Sequence, residues 1–226
     1  MKKTLILLVT LFIHFQSIGQ SQSNEDESYK PLYIGINGLA VGFDLKYKEE
    51  PKGANIQPYT SLYFGYKLSN KLRIQAGVWY GTDSRDFGSV YVESEDKLIY
   101  YDDISRTKGV GIPITVDYVL FYPLKKLQFY GTAMLTPMYS KTFAEKSETR
   151  DGDKTITYSA EASGINTFIT AGFGIAYPIS QRFDTYLNYY LISRNFNKGL
   201  QPRDQYPYQG SLALGINYNF NLKRNK

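Results

Sequence analysis

Histidine and cysteine, on which most hydrolytic and metal chemistry is built, are nearly missing here: the 226-residue sequence holds no cysteine and a single histidine, His14. This excludes disulfides, thiolate metal sites, a catalytic thiol and a lipid-bearing cysteine. It also leaves no Ser-His or Asp-His arrangement outside the first 20 residues. What remains is charge. Lys67, Arg73, Asp117 and Asp184 share one face of period-2 segments with Tyr59, Tyr63, Gln75, Thr115, Gln128, Tyr130, Asn188 and Tyr190. Such a set can line a polar path, hold one small ligand, or form an interior plug of ion pairs and hydrogen bonds. A second cluster, in residues 83–106, brings Asp83, Asp86, Glu93, Glu95, Asp96, Asp102 and Asp103 against Arg85, Lys97 and Arg106. These acids could gather Ca²⁺ or a basic partner, but their spacing fits no ordered calcium loop, and a solvated charged loop is the expectation. Carboxylates alone can hydrolyse glycosides, yet no constellation here favours it. No catalytic residue, metal set or cofactor is expected.

The elements that position these residues begin after a leader. Lys2 and Lys3, the apolar run Thr4 to Phe15, and small residues at Ser17-Ile18-Gly19 read as a secretory signal peptide over 1–20, cleaved near Gly19 or Gln20. The run is shorter than the roughly 20 residues a spanning helix needs. Its removal takes two lysines and no acid from a formal net charge of +5, a balance too mild to indicate nucleic acid. Residues 21–30 are polar and aperiodic, a flexible leader, and 31–226 form one domain.

That domain reads as strands. With 22 Tyr, 13 Phe and 19 Gly, the composition suits pleated strands with aromatic girdles. Eight segments are expected, at about 32–45, 57–68, 71–82, 107–122, 127–139, 165–178, 182–194 and 209–221, each long enough to cross a bilayer as a tilted strand. In the third, Leu72, Ile74, Ala76, Val78 and Tyr80 oppose Arg73, Gln75, Gly77 and Trp79. The non-apolar face is rich in Gly, Ala, Ser and Asn rather than Lys or Glu, which suits a crowded lumen, and the apolar face then meets lipid. Two strands break the pattern. Apolar parity changes near Gly38, from Ile34 and Ile36 to Leu39, Val41 and Phe43, which predicts a bulge, and Pro113 predicts an irregularity in the fourth strand. Trp79 is expected to pack within the barrel mouth.

Connections alternate. Short turns fall at 68–70, 123–126 and 179–181, and long polar loops at about 46–56, 83–106, 140–164 and 195–208. An up-and-down barrel with its N-terminus in the periplasm has long loops outside and short turns inside.

On the signal peptide, the Gly-aromatic strands, Gly111-Ile112-Pro113-Ile114 and the closing Gly215-Ile216-Asn217-Tyr218-Asn219-Phe220, the chain resembles the outer-membrane β-barrel domain family. This group of eight-stranded barrels from Gram-negative bacteria includes OmpA-like and opacity-protein-like members. Many of them end on an aromatic residue, whereas here Asn221 to Lys226 follow Phe220. The resemblance implies architecture: an all-β, eight-stranded antiparallel up-and-down transmembrane barrel, integral to the outer membrane. The corresponding function is non-enzymatic, in structure, surface contact or membrane machinery, with outer-membrane lipid around the barrel and a protein partner on the long loops. The alternatives are a narrow channel or small-ligand carrier, and a soluble exported lipocalin-like barrel. The narrowness of eight strands favours the plug for Lys67, Arg73, Asp117 and Asp184.

Overall fold

In a computed structural model, which describes residues 31–94, 97–198 and 211–220, the chain is a closed antiparallel ring. Its strands are β1 (Leu32–Ala40), β2 (Phe43–Lys46), β3 (Gly53–Lys67), β4 (Leu72–Ser94), β5 (Lys97–Gly111), β6 (Ile114–Leu124), β7 (Leu127–Arg150), β8 (Asp153–Pro178), β9 (Phe183–Asn195) and β10 (Ser211–Asn219). β1 pairs with β10 on one side and β3 on the other, which closes the sheet. β5 and β6 share their partners β4 and β7 and form one stave broken at Ile112-Pro113. The ring therefore has eight staves. The break lies where Pro113 is expected to disturb the ladder, since proline has no N–H to donate. The Ile112 amide donates instead to Pro137 O at 3.0 Å, and Pro113 O accepts from the Gly77 amide at 2.9 Å.

The outer face is apolar without a covering layer. Ile34, Ile36, Leu62, Phe64, Ile74, Val116, Leu135, Ile169 and Ile216 all stand exposed. In water such a surface would be an aggregation site, whereas in a bilayer it is the favourable contact. Rings mark both boundaries. Phe129 stacks between Phe121 (4.9 Å) and Phe173 (5.6 Å) at the short-turn end, and exposed Tyr59, Tyr80 and Tyr139 stand at the other. From Phe129 to Tyr139 along β7, a strand rise of about 3.3 Å per residue and a tilt of about 40° give a band of about 25 Å, the height of a bilayer-spanning barrel belt. The soluble lipocalin-like alternative does not survive this belt.

Three expectations need correction. Residues 83–106 and 140–164 are not loops. β4 with β5 continue as paired strands to Ser94↔Lys97, and β7 with β8 to the turn at Asp151-Gly152, so a four-stranded sheet stands above the membrane boundary. The first segment has no bulge at Gly38. Its ladders to β10 and β3 run without a register shift, and Tyr33, Asn37, Leu39, Val41, Phe43, Leu45 and Tyr47 keep one inward parity throughout. What changes at Gly38 is the polarity of the interior. A register shift lies instead in the neighbouring β3, between Pro58 and Ser61. It turns Tyr59 out of the lumen, where parity places it, and onto the outer aromatic ring.

Candidate functional site

Among the described residues, buried polar and charged side chains converge in the interior, which has two storeys. At the short-turn end, Arg73 and Asp117 are direct cross-strand partners on β4 and β6, their charged groups 3.7 Å apart and their side chains 8% and 7% exposed. The Arg73 guanidinium also lies 4.7 Å from the centre of the Tyr130 ring, a cation–π contact that a dry site strengthens. Closer to the short-turn opening, Lys67 sits 3.4 Å from Asp184, which also accepts from Asn219 Nδ2 at 2.8 Å. The sequence-predicted quartet is thus two ion pairs.

Tyrosines fill the space around and above them, and every one of their hydroxyls finds a partner, as burial demands. Tyr33 donates to Gln75 (3.1 Å), Tyr63 to Asn217 (2.6 Å) and Tyr130 to Asn188 (2.5 Å). Tyr186 accepts from Asn37 Nδ2 at 2.9 Å, and Tyr190 from Asn188 Nδ2 at 3.2 Å. Rings of this size fit inside eight strands because neighbouring strands carry glycine opposite them. A Cβ on Gly65 would strike the Tyr33 ring, and one on Gly35 the Tyr63 ring. Of the other predicted lumen residues, Thr115 is buried, Gln75 and Gln128 are half-buried inside, and Tyr59 alone is outside.

The outer storey is absent from the sequence-based expectations. Beyond Val41-Gly42 the first strand bends into the barrel, so that β2 pairs only with β3 and the two cross the lumen as a hairpin. Phe43 stacks on Trp79 (5.5 Å, 9°) and meets Phe168 edge-on (4.8 Å), with Val41, Leu45, Ile56, Met134 and Met138 buried around them. The free side of β2 is satisfied by amides from the wall: Asn166 Oδ1 accepts from the Lys46 amide at 2.9 Å, and Asn195 Nδ2 donates to Asp44 O at 2.8 Å. The Tyr47 hydroxyl reaches Ser140 (3.0 Å) and Thr142 (2.9 Å) on the opposite wall. Trp79 packs here, as expected. The available signal for this plug is the apolar odd-numbered run from Leu39 to Tyr47. Between the storeys lies a cavity of about 20 Å³ bordered by Asn37, Ser61, Gln75, Thr115 and Met134, room for a water and not for an organic ligand.

Among the described residues the acidic cluster does not converge. Asp86 pairs with Arg106 (2.5 Å), Asp103 with Lys146 (2.8 Å) and Asp83 with Arg85 (2.9 Å), rungs of charge along the protruding sheet, with Asp102 exposed beside them. Glu93 lies in β4, and Glu95 and Asp96 fall outside the described residues. Hydrogen bonding from Arg106 holds the Asp86 carboxyl below the usual carboxylate range, and Asp103 raises Lys146. Among the described residues no three acids are grouped to hold a metal ion.

A closed eight-staved ring, an apolar belt between two aromatic rings and a filled interior define a transmembrane up-and-down barrel. No family model and no curated protein sequence matches the chain. Among solved structures, the attachment invasion locus protein Ail of Yersinia pestis aligns over 85% of this chain and 100% of its own at 16% identity, with a TM-score of 0.40. Neisserial surface protein A aligns over 84% and 97% at 14% identity and 0.37. The outer membrane protein OprG from Pseudomonas aeruginosa aligns over 85% and 97% at 10% identity and 0.40.

Proposed function

We propose that the chain is exported by a signal peptide within residues 1–20 and resides in the outer membrane as a closed, non-catalytic barrel whose working surface is the protruding sheet. Residues 21–30 are read as a leader and 31–226 as a single barrel domain; 1–30 lie outside the described residues. The observation that carries this reading is the filled lumen: an apolar hairpin above and ion pairs with tyrosines below leave about 20 Å³ between them. Among the described residues a barrel so filled shows no path and no substrate pocket, so Lys67, Arg73, Asp117 and Asp184 are assigned to holding the wall together. Recognition then falls to the hairpins that leave the membrane.

Cell fractionation combined with gel mobility before and after boiling tests this. Recovery in the outer-membrane fraction, with a fast band that slows on boiling, is the expected result. Recovery in the soluble fraction contradicts it.

A further inference from the structure

The short turns carry charge of one sign. Lys71, Lys125, Lys126 and Arg182 stand exposed in them, and no ion pair among the described residues uses these four. The described acids of that end, Asp117 and Asp184, are already held by Arg73 and Lys67. The segments that continue from Pro31 and Phe220 bring Glu25, Asp26 and Glu27 against Lys30, Lys223, Arg224 and Lys226, so their composition does not cancel the surplus. The opposite end differs, because its cations are matched: Lys141 with Glu161, Lys146 with Asp103 and Lys154 with Glu145.

Two of these turns are built alike. Ser69 Oγ accepts from the amides of Lys71 (3.2 Å) and Leu72 (3.1 Å), and Ser180 Oγ accepts from those of Arg182 (3.2 Å) and Phe183 (3.1 Å). The Leu68 and Ser69 amides then donate to Leu72 O, as the Ile179 and Ser180 amides do to Phe183 O. A serine hydroxyl that satisfies the turn amides fixes the turn, so Lys71 and Arg182 are held at the same height on two different staves. The third turn places Lys125 and Lys126 at the tip of the β6–β7 hairpin. Beside the cations stand Leu68, Leu124 and Ile179, each more than half exposed and each the last residue of the lipid-facing parity on its strand. A soluble acidic partner would leave these apolar side chains in water. A bilayer accounts for both kinds of residue: the apolar ones end the acyl zone, and long cationic side chains beside them reach the phosphates.

We propose that Lys71, Lys125, Lys126 and Arg182 form a binding surface for the headgroups of anionic phospholipids in the leaflet at the short-turn end. A zwitterionic headgroup offsets its phosphate with its own amine, whereas an anionic one keeps a net negative charge for the unmatched cations. The selectivity belongs to one leaflet, because the opposite end has its charges paired. The inference rests on the membrane reading given above and adds the class of lipid and the side chains that select it.

The test uses the full chain in phosphatidylcholine vesicles doped with spin-labelled phosphatidylglycerol or spin-labelled phosphatidylcholine, and electron paramagnetic resonance reads the share of each that the protein surface immobilises. Wild type holds phosphatidylglycerol over phosphatidylcholine by roughly threefold, the average of a preference of roughly fivefold in the short-turn leaflet and none in the other. The variant K71Q/K125Q/K126Q/R182Q brings the ratio close to one. The charge-conserving variant K71R/K125R/K126R keeps the wild-type ratio, and so does wild type when inorganic phosphate replaces chloride at equal ionic strength. The proposal is overturned if wild type holds the two lipids equally, if the glutamine variant keeps the preference or if the arginine variant loses it. It is also overturned if inorganic phosphate abolishes the preference, since the surface then serves a free anion and not a headgroup. Boil-sensitive mobility, read on the same vesicles, separates the two levels: an absent fast band overturns the membrane reading and this inference with it, whereas equal lipid binding by a formed barrel overturns this inference alone.

Discussion

The two storeys of the lumen solve the same packing problem with opposite chemistry. In the lower one, side chains from eight staves meet in the middle, and because each stave must put something inward, the filling is polar: two ion pairs and a set of bonded tyrosines. In the upper one, a piece of backbone enters the lumen and brings its own apolar side chains, so Phe43, Trp79 and Phe168 form a small dry core. The wall between them is continuous. Interior polarity in a narrow barrel therefore follows from what fills it and not from the wall alone.

Breaking the lower storey should cost most. Asp117→Ala strands the Arg73 guanidinium in a dry site, and a loss of about 3–5 kcal/mol is expected in denaturant unfolding of the detergent-folded protein. The double replacement Arg73→Met with Asp117→Leu removes both charges and should recover most of that loss. In the upper storey, Phe43→Ala opens a cavity beside Trp79 and should cost about 3 kcal/mol in the same assay. It should leave membranes electrically silent, since the lower storey still seals the lumen. Gly65→Val places a side chain in the Tyr33 ring and should cost about 1–3 kcal/mol by overpacking, visible as a lowered unfolding midpoint. Tyr47→Phe, which removes one hydroxyl shared by Ser140 and Thr142, should cost about 1 kcal/mol.

The smallest effect lies outside the lumen. Because the hydrogen bond from Arg106 depresses the Asp86 pKa, their pairing contributes above the ordinary carboxylate range and is lost only as pH falls through the lower folded value. A carbon-13 titration of Asp86 should therefore show it ionised below the usual carboxylate range, and Arg106→Gln should move it back up. An unchanged titration in that variant would separate Asp86 from Arg106.

Much of this was legible from period-2 alternation alone, because lipid outside and a crowded lumen inside impose opposite demands on successive residues. That contrast placed the staves and the parity of Lys67, Arg73, Asp117 and Asp184, while the short polar connections placed the turns and proline's missing N–H placed the irregularity at Pro113. It fails wherever the contrast itself fails. Above the membrane both faces of β4, β5, β7 and β8 are wet or mixed, alternation disappears, and paired strands look like loops. At Gly38 the lumen turns apolar, so a strand with unbroken parity looks bulged. At Pro58 and Tyr59 a register shift leaves no mark, because tyrosine suits a lumen and an aromatic ring equally well. The pairing of Gly35 with Tyr63, and of Gly65 with Tyr33, is a cross-strand relation that no single segment displays.

A lumen filled from end to end carries no current, which conductance of the purified, folded, full-length protein in planar bilayers reads out. A silent membrane is expected at protein amounts where boil-sensitive mobility proves that barrels are present; steady conductance steps under those conditions would contradict it.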